Sequence, residues 1–156
     1  MAKYTPLRGA VWRIPDAHWQ PGMIIRHGDL GPWNMVWNDG ILTGLIDWDF
    51  ATPGYPVDDV AEVAWYCVPL RPAQRCAEAG VNPDDVPHRF ATLCEAYGIA
   101  ESEVIAALIN LQQSEIARTQ QLGSQQLEPW ATFKARGDVE EMTNELNWLR
   151  QFSQED

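Results

Sequence analysis

At 156 residues, 46% of them hydrophobic, the chain suits a single domain that would remove about 70% of its unfolded surface from water. Its 22 acidic and 11 basic residues give a formal charge of −11; this argues against a nucleic-acid partner, which needs a basic face. No apolar run approaches the roughly 20 residues of a membrane span, and no leader pattern opens the chain, so a cytoplasmic protein is expected. The surplus acid would suit a cationic ligand, and it serves solubility equally well.

In chain order, residues 1–22 read as an irregular arm, because Pro6, Pro15 and Pro21 interrupt any long element. A short helix around Asp16 to Gln20 is the alternative, with Trp12 and Trp19 pinning the segment to the body by burial. The stretch from Ile25 to Ala51 carries most of the chemistry. Ile24 and Ile25 lead into His27-Gly28-Asp29, where the glycine permits a sharp bend that projects the acid. Met35 to Trp37 and Ile41 to Ile46 are β-prone runs joined by Asn38-Asp39-Gly40, residues that tolerate the positive φ angles of a tight hairpin. Closing that hairpin brings Asn34 and Asp47 together, so that an amide oxygen and a carboxylate share one hard cation, with Asp29 within reach. Mg²⁺ suits such a site, since it takes few protein oxygens and completes its shell with water and phosphate.

Ala51 to Pro56 reads as a rigid turn, after which Asp58 or Asp59 caps a helix that runs on as EVAWYCV and ends at Pro69 and Pro72. Further helices are expected over Gln74 to Ala79, Pro83 to Tyr97, and Glu101 to about Leu122, stopped by Gly80, Gly98 and Gly123 respectively. A short helix over Leu127 to Ala135 and a final one from Asp138 complete the series. Val104, Ile105, Leu108, Ile109, Leu111 and Ile116 form a wide apolar face, and Val139, Met142, Leu146, Leu149 and Phe152 a second stripe, both suited to the core. Cys67, Cys76 and Cys94 are odd in number and lack close pairing, which fits reduced thiols; packing is expected for Cys67 and Cys94. The three histidines show no zinc spacing.

HGDLGPWN followed by IDWDFA resembles the catalytic and metal-binding loops of the aminoglycoside phosphotransferase and choline kinase group, which is related to protein kinases. The Gly-Pro-Trp-Asn form, with a later Val68-Pro69-Leu70, is similar to the trifolitoxin-immunity-like bacterial phosphotransferases. Motif and spacing match over about forty residues. The resemblance implies an α+β, mostly helical fold: a protein-kinase-like C-terminal lobe over 23–156 with a catalytic-loop hairpin and five to six helices. Loops 25–51 would carry the site and 57–156 the helical subdomain. It further implies transfer of the γ-phosphate of ATP or GTP to a small-molecule hydroxyl. Asp29 would accept or orient the hydroxyl proton, Asn34 and Asp47 would hold Mg²⁺, and His27 would brace the loop by hydrogen bonding. Asp59 would anchor the loop, with ordinary helix capping as its other reading. Asp49 stands between an outer-shell or second-metal role and simple solvation. Trp33 and Trp48 flank the site; core packing is expected for them, and stacking on a substrate ring is the alternative.

Kinase-like enzymes place a glycine-rich loop and a strand lysine ahead of these motifs. Only 26 residues precede His27, and Lys3 is their only lysine. The expectation is therefore a C-terminal lobe without its nucleotide lobe: a fragment, a truncated product, or a protein adapted to another task. A partner-supplied lobe or a homodimer would complete it. Two other classes compete, a non-enzymatic binding or immunity protein on the same scaffold and, more remotely, a metal-dependent glycosyltransferase using Asp47-Trp48-Asp49 as a D-x-D run.

Overall fold

The computed structural model describes residues 9–15 and 17–154. The fold is α+β and mostly helical. Strand β1 (Ile24–Arg26) pairs antiparallel with β4 (Thr52–Gly54), and β2 (Met35–Asn38) with β3 (Ile41–Leu45). Six α-helices follow among the described residues: α1 (Pro56–Tyr66), α2 (Ala73–Glu78), α3 (Val86–Tyr97), α4 (Glu101–Ser124), α5 (Trp130–Arg136) and α6 (Asp138–Phe152).

The hairpin forms where the turn chemistry demands it. Asp39 at φ 49° and Gly40 at φ 78° supply the two left-handed residues of a tight turn whose twist matches that of the flanking strands. Asn38, expected in the turn, extends β2 and pairs with Ile41. The segment expected as a rigid turn after the hairpin instead contributes β4, with Arg26 opposite Thr52 and Ile24 opposite Gly54. This two-stranded clasp joins the two ends of the site region. It escaped the sequence reading because Thr52-Pro53-Gly54 has turn composition, and an edge strand tolerates a proline.

The core lies where α1 crosses α4. Ala61, Ala64 and Trp65 of α1 pack with Val104, Leu108 and Leu111 of α4, Phe90 and Cys94 of α3, and Leu149 of α6. The small alanines let α1 approach closely, and the ladder Val104, Ile105, Leu108, Leu111 is the expected apolar face of α4. Leu146 and Leu149 bury the α6 stripe, with Met142 and Phe152 packed at its margin. Glu145 is buried in the same layer, where it accepts the Trp65 Nε1–H at 2.6 Å and faces Arg71 at 3.2 Å. A carboxylate at that depth persists because both a ring N–H and a guanidinium answer it.

Two further expectations are corrected. Gly123 does not end α4: the helix continues to Ser124, and Gly123 is buried where a Cβ would lie 2.7 Å from the Trp130 carbonyl oxygen. It is a point of close contact between α4 and α5 rather than a stop signal. The segment Pro83 to Tyr97 begins with a 3-10 turn over Pro83–Asp85, closed by the Asn82 side chain accepting the Asp84 N–H at 3.2 Å, before α3 starts. The described part of the arm holds turns but neither helix nor strand; 17–20 is not helical, and Asp16 lies outside the described residues. Trp12 and Trp19 are half-buried.

Candidate functional site

The loop from His27 to Asn34 is held from three directions. Below it, the Asp59 carboxylate of α1 accepts the His27 backbone N–H at 3.2 Å, and Glu62, one turn further along α1, accepts the Leu30 N–H at 3.2 Å. From the strand side, the Arg26 guanidinium meets Glu62 at 3.3 Å, both side chains buried. Above it, His27 Nε2–H donates to the Ile46 carbonyl at 2.9 Å. His27 is itself buried, its ring 4.6 Å from that of Trp48. It therefore ties the loop to Ile46, just past the end of β3 and one residue before Asp47.

Asp58, not Asp59, supplies the α1 cap: its carboxylate accepts the Tyr55 N–H at 2.7 Å. The two adjacent acids thus divide the two roles that either could have taken. Burial pushes the Asp59 carboxyl above its ordinary range, with the His27 N–H and the Arg26 guanidinium pulling the other way. Burial likewise raises Glu62 to about 7, opposed by Arg26 and the Leu30 N–H.

Gly28 has φ +81°, and a Cβ there would sit 2.2 Å from the Phe50 carbonyl oxygen. Its backbone passes directly beneath the segment that follows Asp47, so the left-handed geometry and the close approach both require glycine. Asp29 projects from this bend, half-buried. Asn34 Nδ2 donates to the Asp29 carbonyl at 2.8 Å and to its Oδ2 at 2.9 Å, while Trp33 Nε1 lies 3.3 Å from each Asp29 carboxylate oxygen.

At the base of the hairpin the Ile46 N–H donates to the Asn34 carbonyl at 3.0 Å, placing Asn34 beside the approach to Asp47. Asp47 is exposed and has φ +59°. Aspartate is among the non-glycine residues that enter this region most readily, as Asp39 does in the hairpin turn. Among the described residues no three His, Cys, Asp or Glu side chains gather as a metal cluster. The side chains here that could hold a cation are one amide, Asn34, and one carboxylate, Asp47. Asn34 spends its nitrogen on Asp29, leaving Oδ1 without a hydrogen bond among the described residues. Two hard oxygens of this kind fit Mg²⁺, which keeps water and phosphate in its remaining positions.

The other sequence candidates fall out less simply. Asp49 is engaged by Arg13 at 3.1 Å on the exposed surface. Trp33 and Trp48 are 57% and 48% exposed, which overturns the expectation of core packing: each rests one edge on the protein, Trp33 against Tyr66 and Trp48 against His27. Cys67, Cys76 and Cys94 are free. Burial pushes the Cys67 thiol up to about 11 and raises the other two, so none is primed as a nucleophile.

Beside Asp29 opens a cleft of about 490 Å³, walled by Trp33, Tyr66, Trp130 and Phe133. Its charges are mixed, with Asp29, Glu62, Glu115, Asp138 and Glu141 facing Arg71, Arg75 and Arg136. Sequence reading missed Arg26, Glu62 and, Trp33 apart, the residues of this wall. Glu62 had one local sign, since it lies one turn after Asp59 on the same face of α1. Nothing local marks the α5 and α6 residues as neighbours of Asp29.

A family model for the phosphotransferase enzyme family (APH) matches residues 3–93, more than half of the chain, and the chain belongs to that family. Within it, the chain is similar to the trifolitoxin immunity protein of Rhizobium leguminosarum bv. trifolii, with 27% identity over 109 residues, covering 65% of this chain. The chain spans only 40% of that relative's length. No solved structure matches significantly. No described helix is long and apolar enough to cross a membrane.

Proposed function

We propose that this chain forms the base-bearing and metal-binding side of a phosphotransferase cleft, in the manner of a protein-kinase-like C-terminal lobe, and acts on a small-molecule hydroxyl with ATP or GTP as donor. The observation that carries this reading is the three-way tether of loop 27–34, which sets Asp29, Asn34 and the start of the Asp47 segment together.

In this reading the acceptor enters the cleft beside Asp29, whose volume of about 490 Å³ is that of a small-molecule pocket. The Asp29 carboxylate, oriented through Oδ2 by Asn34, takes or orients the hydroxyl proton as the oxygen attacks. Asn34 Oδ1 and the Asp47 carboxylate would hold Mg²⁺, whose charge neutralises the phosphates and fixes the line of transfer. His27 and Asp59 act through the backbone, keeping the two loops in register. The nucleotide lid is supplied from outside residues 23–156, by a further segment or a partner.

Calorimetric titration with Mg-ATP and Mg-GTP, on the wild type and Asp47→Ala, tests the site. Millimolar or tighter binding that Asp47→Ala abolishes supports it; no binding by the wild type overturns it. Turnover is followed as nucleoside diphosphate release. Asp29→Ala is expected to retain nucleotide binding and lose about 10²–10⁴-fold in rate.

The name of the relative favours a second reading, a scaffold whose task is immunity by binding. It predicts wild-type nucleotide binding without turnover at any acceptor concentration. A D-x-D glycosyltransferase has less to support it, since Arg13 takes up Asp49 and the family is one of phosphotransferases.

A further inference from the structure

The cleft beside Asp29 sorts its charges into pairs. Four of its acids are each met by an arginine: Glu62 by Arg26, Glu115 by Arg118, Asp138 by Arg136 and Glu141 by Arg75. Asp29 meets no cation among the described residues, and its carboxylate accepts there only from Asn34 and Trp33. Two of the three cleft arginines are likewise spent. Arg136 gives Nε and one Nη to Asp138, and Arg75 gives its two Nη atoms to Glu78 and Glu141. Arg71 differs from both. Its Nε faces Glu145 at 3.2 Å, and neither Nη atom makes a hydrogen bond among the described residues.

That guanidinium is also held in place. The Arg71 side chain is 14% exposed and lies over the rings of Tyr66 and Trp65, at 5.0 and 5.7 Å, which stack on each other. Stacking and Glu145 fix its plane before any ligand arrives, so little side-chain freedom remains to be lost on binding. Arg71 lines the cleft, and with Nε turned to Glu145 its unfilled edge is the fork of the two Nη atoms. The parallel N–H groups of such a fork match the two oxygens of a carboxylate. An aromatic wall joins this fork to Asp29. Tyr66 lies 5.0 Å from the Arg71 guanidinium and 5.0 Å from the ring of Trp33, whose Nε1 is 3.3 Å from each Asp29 carboxylate oxygen.

We propose that the acceptor taken by this cleft is an alcohol that carries a carboxylate: the carboxylate sits on the Arg71 fork, the hydroxyl at Asp29, and the apolar body along Tyr66 and Trp33. The hydroxyl end rests on the phosphotransferase reading; the carboxylate end stands on Arg71 alone. A cationic acceptor, which the acidity of the chain would suit, finds four of the cleft acids already answered by arginines. What sets Arg71 apart is an unfilled pair of donors rather than an excess of positive charge. Two parallel charge-assisted hydrogen bonds favour a carboxylate over a neutral amide of the same shape by a factor of about ten or more.

Ligand-observed NMR on the full chain, without nucleotide, tests the carboxylate end with three probes of one shape: 4-(hydroxymethyl)benzoate, 4-(hydroxymethyl)benzamide and 4-(hydroxymethyl)benzylamine. The acid is expected to bind with millimolar or tighter affinity, at least tenfold more tightly than the amide or the amine. Arg71→Lys keeps a cation beside Glu145 but lacks the fork, and Arg71→Met lacks both; each loses the preference for the acid. Arg136→Lys, at an arginine already spent on Asp138, leaves it unchanged. Thermal melting establishes that the variants are folded, and Arg71→Lys carries the test if Arg71→Met is not. An amide or amine that binds as tightly as the acid overturns the proposal, as does the absence of binding by all three at about 10 mM. So does acid binding that Arg71→Lys leaves at the wild-type level, or that Arg136→Lys weakens equally. Titration with Mg-nucleotide reads the other claim separately. Preference for the acid without nucleotide binding supports the carboxylate site and refutes the phosphotransferase reading; nucleotide binding with turnover of the amine does the reverse.

Discussion

Glu62 offers a stability test whose sign is opposite to intuition. The residue is buried, it contacts Arg26 at 3.3 Å and the Leu30 N–H at 3.2 Å, and deleting one partner of a buried ion pair normally destabilises. Yet burial outweighs those two contacts and holds the carboxyl at about 7 against an ordinary 4.5. An acid whose pKa is raised on folding contributes most below its unfolded value, and the contribution is lost as pH rises through the folded one. At about 1.4 kcal/mol per pH unit between the two values, Glu62 costs the folded state about 2–3 kcal/mol between pH 5 and pH 8. Glu62→Gln has nearly the shape of the protonated acid, keeps an acceptor for Leu30, and does not titrate. Near pH 5 the two proteins should be close in stability; near pH 8 the variant should be the more stable by about 2–3 kcal/mol. Urea denaturation of both proteins at half-unit pH intervals reads the difference. A gap that stays constant with pH, or widens in favour of the wild type toward pH 8, refutes the reasoning: Arg26 and the Leu30 N–H would then outweigh desolvation.

Asp47→Gly should leave the fold as stable or up to about 1 kcal/mol more stable, because glycine accepts the left-handed backbone at little cost. The same change should abolish Mg-nucleotide binding, so melting and calorimetry should move apart. Gly28→Ala introduces a Cβ 2.2 Å from the Phe50 carbonyl at a positive φ and should lower stability by more than about 1 kcal/mol in denaturant titration. Leu149→Ala, at a fully buried α6 position, should cost about 2–5 kcal/mol with the cooperativity of unfolding retained. His27→Ala should weaken Mg-nucleotide binding beyond its effect on melting, since it frees the Ile46 carbonyl that fixes the approach to Asp47.

What the sequence determined by itself is local. The hairpin was legible because Asp39-Gly40 demands one kind of turn and the flanking runs are β-prone. Three of the helix ends were legible because glycine or proline punctuates them, those of α1, α2 and α3, and the α4 and α6 core faces because their apolar residues recur at helical spacing. That Asn34 would meet Asp29 and the approach to Asp47 was legible because their spacing on either side of a hairpin implies convergence. The tertiary structure decided what depends on residues far apart in the chain. Asp58 and Asp59 have the same chemistry and adjacent positions, and only the packing of α1 beneath the loop made one a cap and the other an anchor. Gly123 reads as a stop signal and is a packing site, because α5 returns against it. Trp33 and Trp48 look like core residues by composition and stand half exposed, because ring size does not tell which side of the loop a ring leaves from. The buried Arg26–Glu62 pair and the aromatic wall from α5 follow from the same cause. Burial and charge pairing belong to the assembled surface, and no single stretch of sequence contains both sides of it.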